Sequence, residues 1–199
     1  MKDALRKIIN PDVVLDSTIQ ENGLRIIRVK EESPESKIKK LIITHVPENC
    51  FAFTLDHLTS KTDQKRLCFQ QLSCYFNKSN QEGINRSCDV VLFSEYKRAY
   101  YFLMLDLKSY KIKRKEYELQ LDNSELFVRY INSLIGAYYS SSLPESQTIK
   151  CQKTFVTTNK RKNSVYQASK GIVPEYLAVS VEVDHKKEAR VALGKLLGL

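Results

Sequence analysis

The sequence predicts an α/β (α+β) fold, with a mixed central sheet flanked by helices and an N-terminal β-rich extension. Three observations predict it. Residues 89–93 and 99–108 form two nearly continuous apolar runs, the pattern of strands covered on both faces. Residues 116–139 have helical spacing and lead into another strand-like run at 148–157, a strand–helix–strand order. Before them come several short β-like segments separated by turn signals.

Taken in order, residues 1–10 read as a short amphipathic helix and 12–19 as a strand. Residues 24–30 read as a second strand; Asn22-Gly23 just before it is a strong hairpin-turn signal. A charged loop around Pro34 spans 31–36, followed by strands at 38–46 and 50–56. Residues 60–76 mix polar and apolar positions and fit a helix or an irregular segment, and 77–87 is a loop rich in Asn, Ser and Gly. The two emphatic strands follow, with residues 95–98 making the turn between them. In the helical stretch, Leu119, Phe127, Tyr130, Ile131, Leu134 and Ile135 can share one apolar face. Asp122-Asn123-Ser124 is a candidate break, with Asn123 or Ser124 capping a second helix. Residues 176–183 predict a last strand and 186–197 a short basic-apolar helix.

The chain has 199 residues, which favours one domain, residues 1–199. Within it lie the β-rich extension (1–60), a core (61–165) and a C-terminal strand and helix (166–199). A composition of 42% hydrophobic and 28% charged residues excludes a disordered chain. No apolar run approaches the roughly 20 residues that span a bilayer, so no membrane association is expected. The first ten residues lack the apolar stretch and cleavage site of a secretory signal, and the expected address is the cytoplasm. Cys50, Cys68, Cys74, Cys88 and Cys151 are odd in number with no C-x-x-C spacing, which predicts buried thiols. His45, His57 and His185 are scattered without metal-ligand spacing, and no phosphate-cradling glycine loop occurs.

Net charge is +9, which suits a phosphate-bearing partner, since basic side chains on phosphates release condensed counterions. The basic residues cluster at Lys111, Lys113, Arg114 and Lys115 and at Lys160, Arg161 and Lys162, the candidate nucleic-acid contacts. The first cluster follows directly on the residues that carry chemistry. Asp106 and Lys108, two apart on a strand, face the same way about 7 Å apart. If the hairpin turns at Lys97-Arg98, Asp89 lies opposite Asp106, with Cβ atoms roughly 5 Å apart. A slip of one residue would turn the two acids to opposite faces.

The runs Cys88-Asp89-Val90-Val91-Leu92-Phe93 and Tyr101-Phe102-Leu103-Met104-Leu105-Asp106-Leu107-Lys108-Ser109 resemble the PD-(D/E)xK nuclease superfamily, in its small bacterial form with an acid after a cysteine and (D/E)xK ending the next strand. The resemblance covers roughly residues 85–165 and implies a restriction-endonuclease-like core. It implies that Asp89 and Asp106 bind Mg²⁺ (or Mn²⁺), that Lys108 is the catalytic lysine and that Gln120 lies near the site. The expected activity is metal-dependent endonucleolytic cleavage of DNA. The setting implied is bacterial anti-phage defence beside a partner ATPase or another defence-system subunit. The pattern departs from its relatives at Ser109, where glycine is common, and no upstream acid on a helix is evident. Asp56 and Glu82 are candidates to complete the site. The alternative is an inactive nuclease-fold subunit that binds a partner protein or nucleic acid.

Overall fold

The computed structural model describes residues 1–31, 33–55, 81–108, 114–140, 149–158 and 175–199, with only the backbone of 114–116. Ten strands and three helices are seen among these residues. Helix α1 (Lys2–Ile8) and a 3-10 turn (Pro11–Val13) open the chain. Strands β1 (Val14–Leu15), β2 (Ser17–Ile19), β3 (Arg25–Lys30), β4 (Lys40–Thr44) and β5 (Phe51–Thr54) follow. Then come β6 (Val90–Tyr96), β7 (Ala99–Lys108), helix α2 (Arg114–Tyr138), β8 (Lys150–Thr157), β9 (Tyr176–Ser180), β10 (Glu188–Ala192) and helix α3 (Leu193–Leu196).

The strands form two mixed sheets. The larger runs β1-β5-β6-β7-β8-β9 and the smaller β10-β4-β3-β2. Strands β5, β6 and β7 are antiparallel; β7, β8 and β9 are parallel, with α2 in the crossover from β7 to β8. Strands β1 and β5, from the expected N-terminal extension, lie in the same sheet as β6 to β9.

The period of two along β6 and β7 sorts the core into two layers. On one face Val91, Phe93, Phe102 and Met104 pack with Ala4 and Leu5 of α1 and Leu121, Val128, Ile131 and Ile135 of α2. On the other, Val90, Leu92, Leu103, Leu105 and Leu107 pack with Ile27, Val29, Leu41, Ile43, Ala189 and Val191 of the smaller sheet. The larger sheet is thus the middle layer of three, which explains why its central strands are apolar on both faces.

Several expectations need correction. The strand read at 12–19 is divided: β1 pairs with β5 in the larger sheet and β2 pairs with β3 in the smaller one. The chain passes from one sheet to the other at Asp16, the device that joins the corners of a sandwich. Helix α2 runs unbroken through Asp122-Asn123-Ser124. Asn123 and Ser124 are buried and bond outward to the loop before β6, so they cap no second helix. The C-terminal stretch is mainly strand: β10 lies parallel to β4, and only Leu193–Leu196 is helical. The expected segment 60–76 lies outside the described residues, as do Cys68 and Cys74. Cys50 and Cys88 are free buried thiols, each pushed up to about 12 by burial. Among the described residues no helix is long and apolar enough to cross a membrane.

Candidate active site

The site is built on the β6–β7 hairpin, and its register follows from the turn. Lys97 and Arg98 have φ of 48° and 63°, the left-handed pair of a two-residue turn whose twist suits the flanking strands. Tyr96 then pairs with Ala99, and the ladder continues without a bulge to Val90 opposite Leu105. One step further sets Asp89 opposite Asp106. Both belong to the face that carries Val91 and Met104, the helix side of the larger sheet.

Asp89 is held from two sides. Its backbone carbonyl accepts from Thr54 Oγ1 at 2.8 Å and from Leu55 N at 3.0 Å, at the end of β5. Its Oδ2 accepts from Leu107 N at 2.5 Å. The residue before it is fixed by α2: Cys88 N donates to Ser124 Oγ at 2.9 Å, and Ser124 Oγ donates to Gln120 O at 2.8 Å. Asn123 Nδ2 donates to the carbonyls of Gly83 and Arg86, both at 3.0 Å. These polar residues in the middle of α2 therefore position the loop that delivers Asp89.

Asp106 is fully buried, and neither carboxylate oxygen has a well-directed hydrogen-bond partner. The Lys108 ammonium lies 2.8 Å from Asp106 Oδ2 and donates to Gln120 Oε1 at 2.8 Å. Burial raises the Asp106 carboxyl to about 6, although the Lys108 charge pulls it down. Burial, then the Asp106 charge, holds the Asp89 carboxyl well above its ordinary range, against the lowering effect of Leu107 N–H and Lys108. Burial works against the charge on Lys108, but the Asp106 carboxylate outweighs it and raises the ammonium pKa. Two acids that share one desolvated corner cannot both ionise freely, so they titrate as a pair.

Asp89, Asp106 and Lys108 thus converge as the spacing predicts, and Gln120 lies beside Lys108 as the family resemblance implies. The structure adds Glu31, just beyond β3, whose charge acts on all three titratable groups of the corner. Its backbone N–H donates to Lys39 O at 3.0 Å and its Oε1 accepts from Ser33 N at 2.8 Å, which fixes it at the rim. No spacing rule finds Glu31, because its proximity depends on how the smaller sheet stacks on the larger. Glu82 is exposed and Asp56 lies outside the described residues. The side chains of Lys111, Lys113, Arg114, Lys115, Lys160, Arg161 and Lys162 also lie outside them. His45 and His185 are exposed and distant in sequence from these groups, and His57 is not described.

Among the described residues no group of three His, Cys, Asp or Glu side chains is arranged to hold a metal ion. Asp89 and Asp106 form a two-carboxylate set. Mg²⁺ takes hard oxygen ligands and keeps several waters, so one or two carboxylates suffice for it. Such an ion would add to the partial compensation that the Lys108 ammonium, 2.8 Å from Oδ2, gives a carboxyl that burial still holds above its ordinary range. No protein-family model, no curated protein and no solved structure matches the chain.

Proposed function

We propose that this protein is a metal-dependent nuclease of the restriction-endonuclease-like kind, acting on DNA phosphodiesters with Mg²⁺ or Mn²⁺. The observation that carries the reading is the approach of the Asp89 and Asp106 carboxyls at the end of the β6–β7 ladder, with Lys108 bound to Asp106. The order of elements supports it: an antiparallel β5–β6–β7 meander, a helical crossover and β8 parallel to β7. The acids stand where β7 ends and the crossover begins, the rim at which α/β sheets expose their chemistry.

In this reading Asp89 and Asp106 hold the metal. When bound, the ion polarises the phosphoryl oxygen and lowers the pKa of its water. Lys108 sets a positive charge beside the reacting phosphate, and Gln120 restrains that ammonium. The Leu107 N–H restrains Asp89, so a backbone fixed in the ladder orients one ligand.

The test is cleavage of end-labelled duplex DNA, single-stranded DNA and RNA by the full chain with Mg²⁺, Mn²⁺ or EDTA. Metal-dependent cleavage should fall at least about 100-fold in Asp106→Ala and in Lys108→Ala, the range for loss of a preorganised electrostatic group. Cleavage retained in both variants would end the assignment. The second reading, a nuclease fold that only binds, is favoured by the two-ligand set among the described residues. It predicts nucleic-acid binding by the wild type with no cleavage in either metal.

A further inference from the structure

The outer face of the smaller sheet carries the exposed Arg28, Lys30 and Arg190 around two buried apolar side chains, Ile26 and Ile42. Pairing aligns Arg28, Ile42 and Arg190 in one row across β3, β4 and β10. Cross-strand partners share a face, so the two arginines emanate about 10 Å apart, two strand spacings, with buried Ile42 between them. The row two residues along holds Lys30, Lys40 and Glu188, and Glu188 is paired with Lys40 at 2.5 Å. Arg28 Nη1 donates to Thr18 Oγ1 at 2.6 Å, and no acidic partner of Arg28, Lys30 or Arg190 is seen among the described residues. Beside the arginines lies an open groove of about 700 Å³, lined by Thr18, Ile19, Gln20, Glu21, Asn22, Arg28 and Arg190. Glu21 is the single acid of that lining.

Unpaired exposed arginines in a fixed row self-repel, and an anionic partner relieves that cost. The guanidinium fork matches phosphate oxygens in two parallel hydrogen bonds. We propose that this face is a nucleic-acid backbone contact surface, with Arg28 and Arg190 each seated on a phosphate and Lys30 extending the row. The choice of nucleic acid over another polyanion rests on the phosphodiester reading above and on the net charge of +9. Lys30 adjoins Glu31 in sequence, so the basic row leads along β3 to the rim of the acidic corner.

The test is fluorescence anisotropy of a labelled duplex with the full chain in EDTA, titrated over a series of salt concentrations. Arg28→Gln/Arg190→Gln is compared with Arg6→Gln/Lys7→Gln, exposed positions on α1 that remove the same charge. Two lost phosphate contacts should lower the slope of log K against log salt by about 1.8 and weaken binding about tenfold or more. The α1 variant should change the slope by less than about 0.5. Equal losses in both variants, no loss in either, or no binding by the wild type overturns the proposal. So does displacement of the duplex by polyglutamate at equal charge, which would mark the face as a site for an acidic protein. An Asp106→Asn chain that binds like the wild type, with the arginine effect intact and no metal-dependent cleavage by the wild type, would uphold this surface while removing the catalytic reading.

Discussion

Asp106→Asn should make the folded protein more stable while removing its metal response. The substitution keeps the shape of the side chain and deletes a buried charge that the Lys108 ammonium at 2.8 Å offsets only in part, since the carboxyl still sits above its ordinary range. Burial raises the Asp106 carboxyl from 3.8 to about 6. The folded state therefore binds more protons than the unfolded state in that window, so wild-type stability falls as pH rises from about 4 to 6 and stays lower above it. A shift of about two units corresponds to an upper bound near 3 kcal/mol at about 1.4 kcal/mol per unit. Titration shared with Asp89 reduces this to about 1–2 kcal/mol. In a chain of this size that raises Tm at pH 7.5 by roughly 2–8 °C, and the advantage should vanish near pH 4. Mg²⁺ at ten times its Kd should stabilise the wild type by about 1.4 kcal/mol and leave Asp106→Asn unmoved. Differential scanning fluorimetry at pH 4 and 7.5, with and without Mg²⁺, reads all of these. A lower Tm for the variant at pH 7.5 would refute the claim that burial of the Asp106 charge outweighs its pairing with Lys108, and equal Mg²⁺ shifts in both proteins would refute its role in holding the ion.

Three further substitutions probe the surrounding frame. Ser124→Ala leaves the buried Cys88 N–H without an acceptor and should cost about 1–3 kcal/mol in urea unfolding, and the proposed cleavage should fall with it. Lys153, nearly buried, is bound by Asp122 and Glu125 at 2.7 Å and Glu175 at 3.1 Å. Lys153→Met removes the cation shared by Asp122, Glu125 and Glu175 and should cost about 1–2 kcal/mol, less than a fully buried pair because Glu125 keeps Arg129 at 2.6 Å and Asp122 and Glu175 reach water; an unchanged urea midpoint would rule this network out as a stabilising tie. Gly194→Ala would set a Cβ 2.6 Å from the Tyr96 hydroxyl and should cost about 1–3 kcal/mol. Tyr96→Phe removes the offending oxygen, so the double variant should recover part of that loss; strictly additive losses would show that the clash is relieved elsewhere.

Local rules carried the reading furthest where one element decides the geometry. Alternation along β7 and the tight turn at Lys97-Arg98 are enough to set Asp89 across from Asp106, since the turn fixes the register and the period of two then puts both acids on one face. Helix α2 was legible from its apolar spacing, but its polar centre misled. Asp, Asn and Ser inside a helix usually mark a break because they compete for backbone groups. Here Asn123 and Ser124 hold the loop before β6, Ser124 while also donating to Gln120 O within the helix, and Asp122 serves Lys153 and Tyr176. The C-terminal stretch misled for a related reason. Residues 188–192 alternate, but Ala189 and Val191 bury only because β4 offers them a parallel edge from a distant part of the chain.

The same distinction separates the legible part of the candidate site from the hidden part. Asp89, Asp106 and Lys108 lie on one hairpin, so sequence spacing constrains them directly, whereas Gln120 on the following helix was indicated by the family resemblance alone. Glu31 and the row of Arg28, Lys30 and Arg190 belong to the smaller sheet, whose β10 arrives from the C-terminus to pair with β4. Neither could be placed before the two sheets were stacked. Yet the stacking is itself dictated by the apolar inner positions Ile27, Val29, Leu41, Ile43, Ala189 and Val191, which leave Arg28, Lys30 and Arg190 no face but the outer one. The burial that builds the core is thus the force that turns the basic residues outward. A charge reversal at Arg28 or Arg190 should alter polyanion binding while changing stability by under about 0.5 kcal/mol, whereas any polar residue at Ile27 or Val29 should unfold the sheet that presents them.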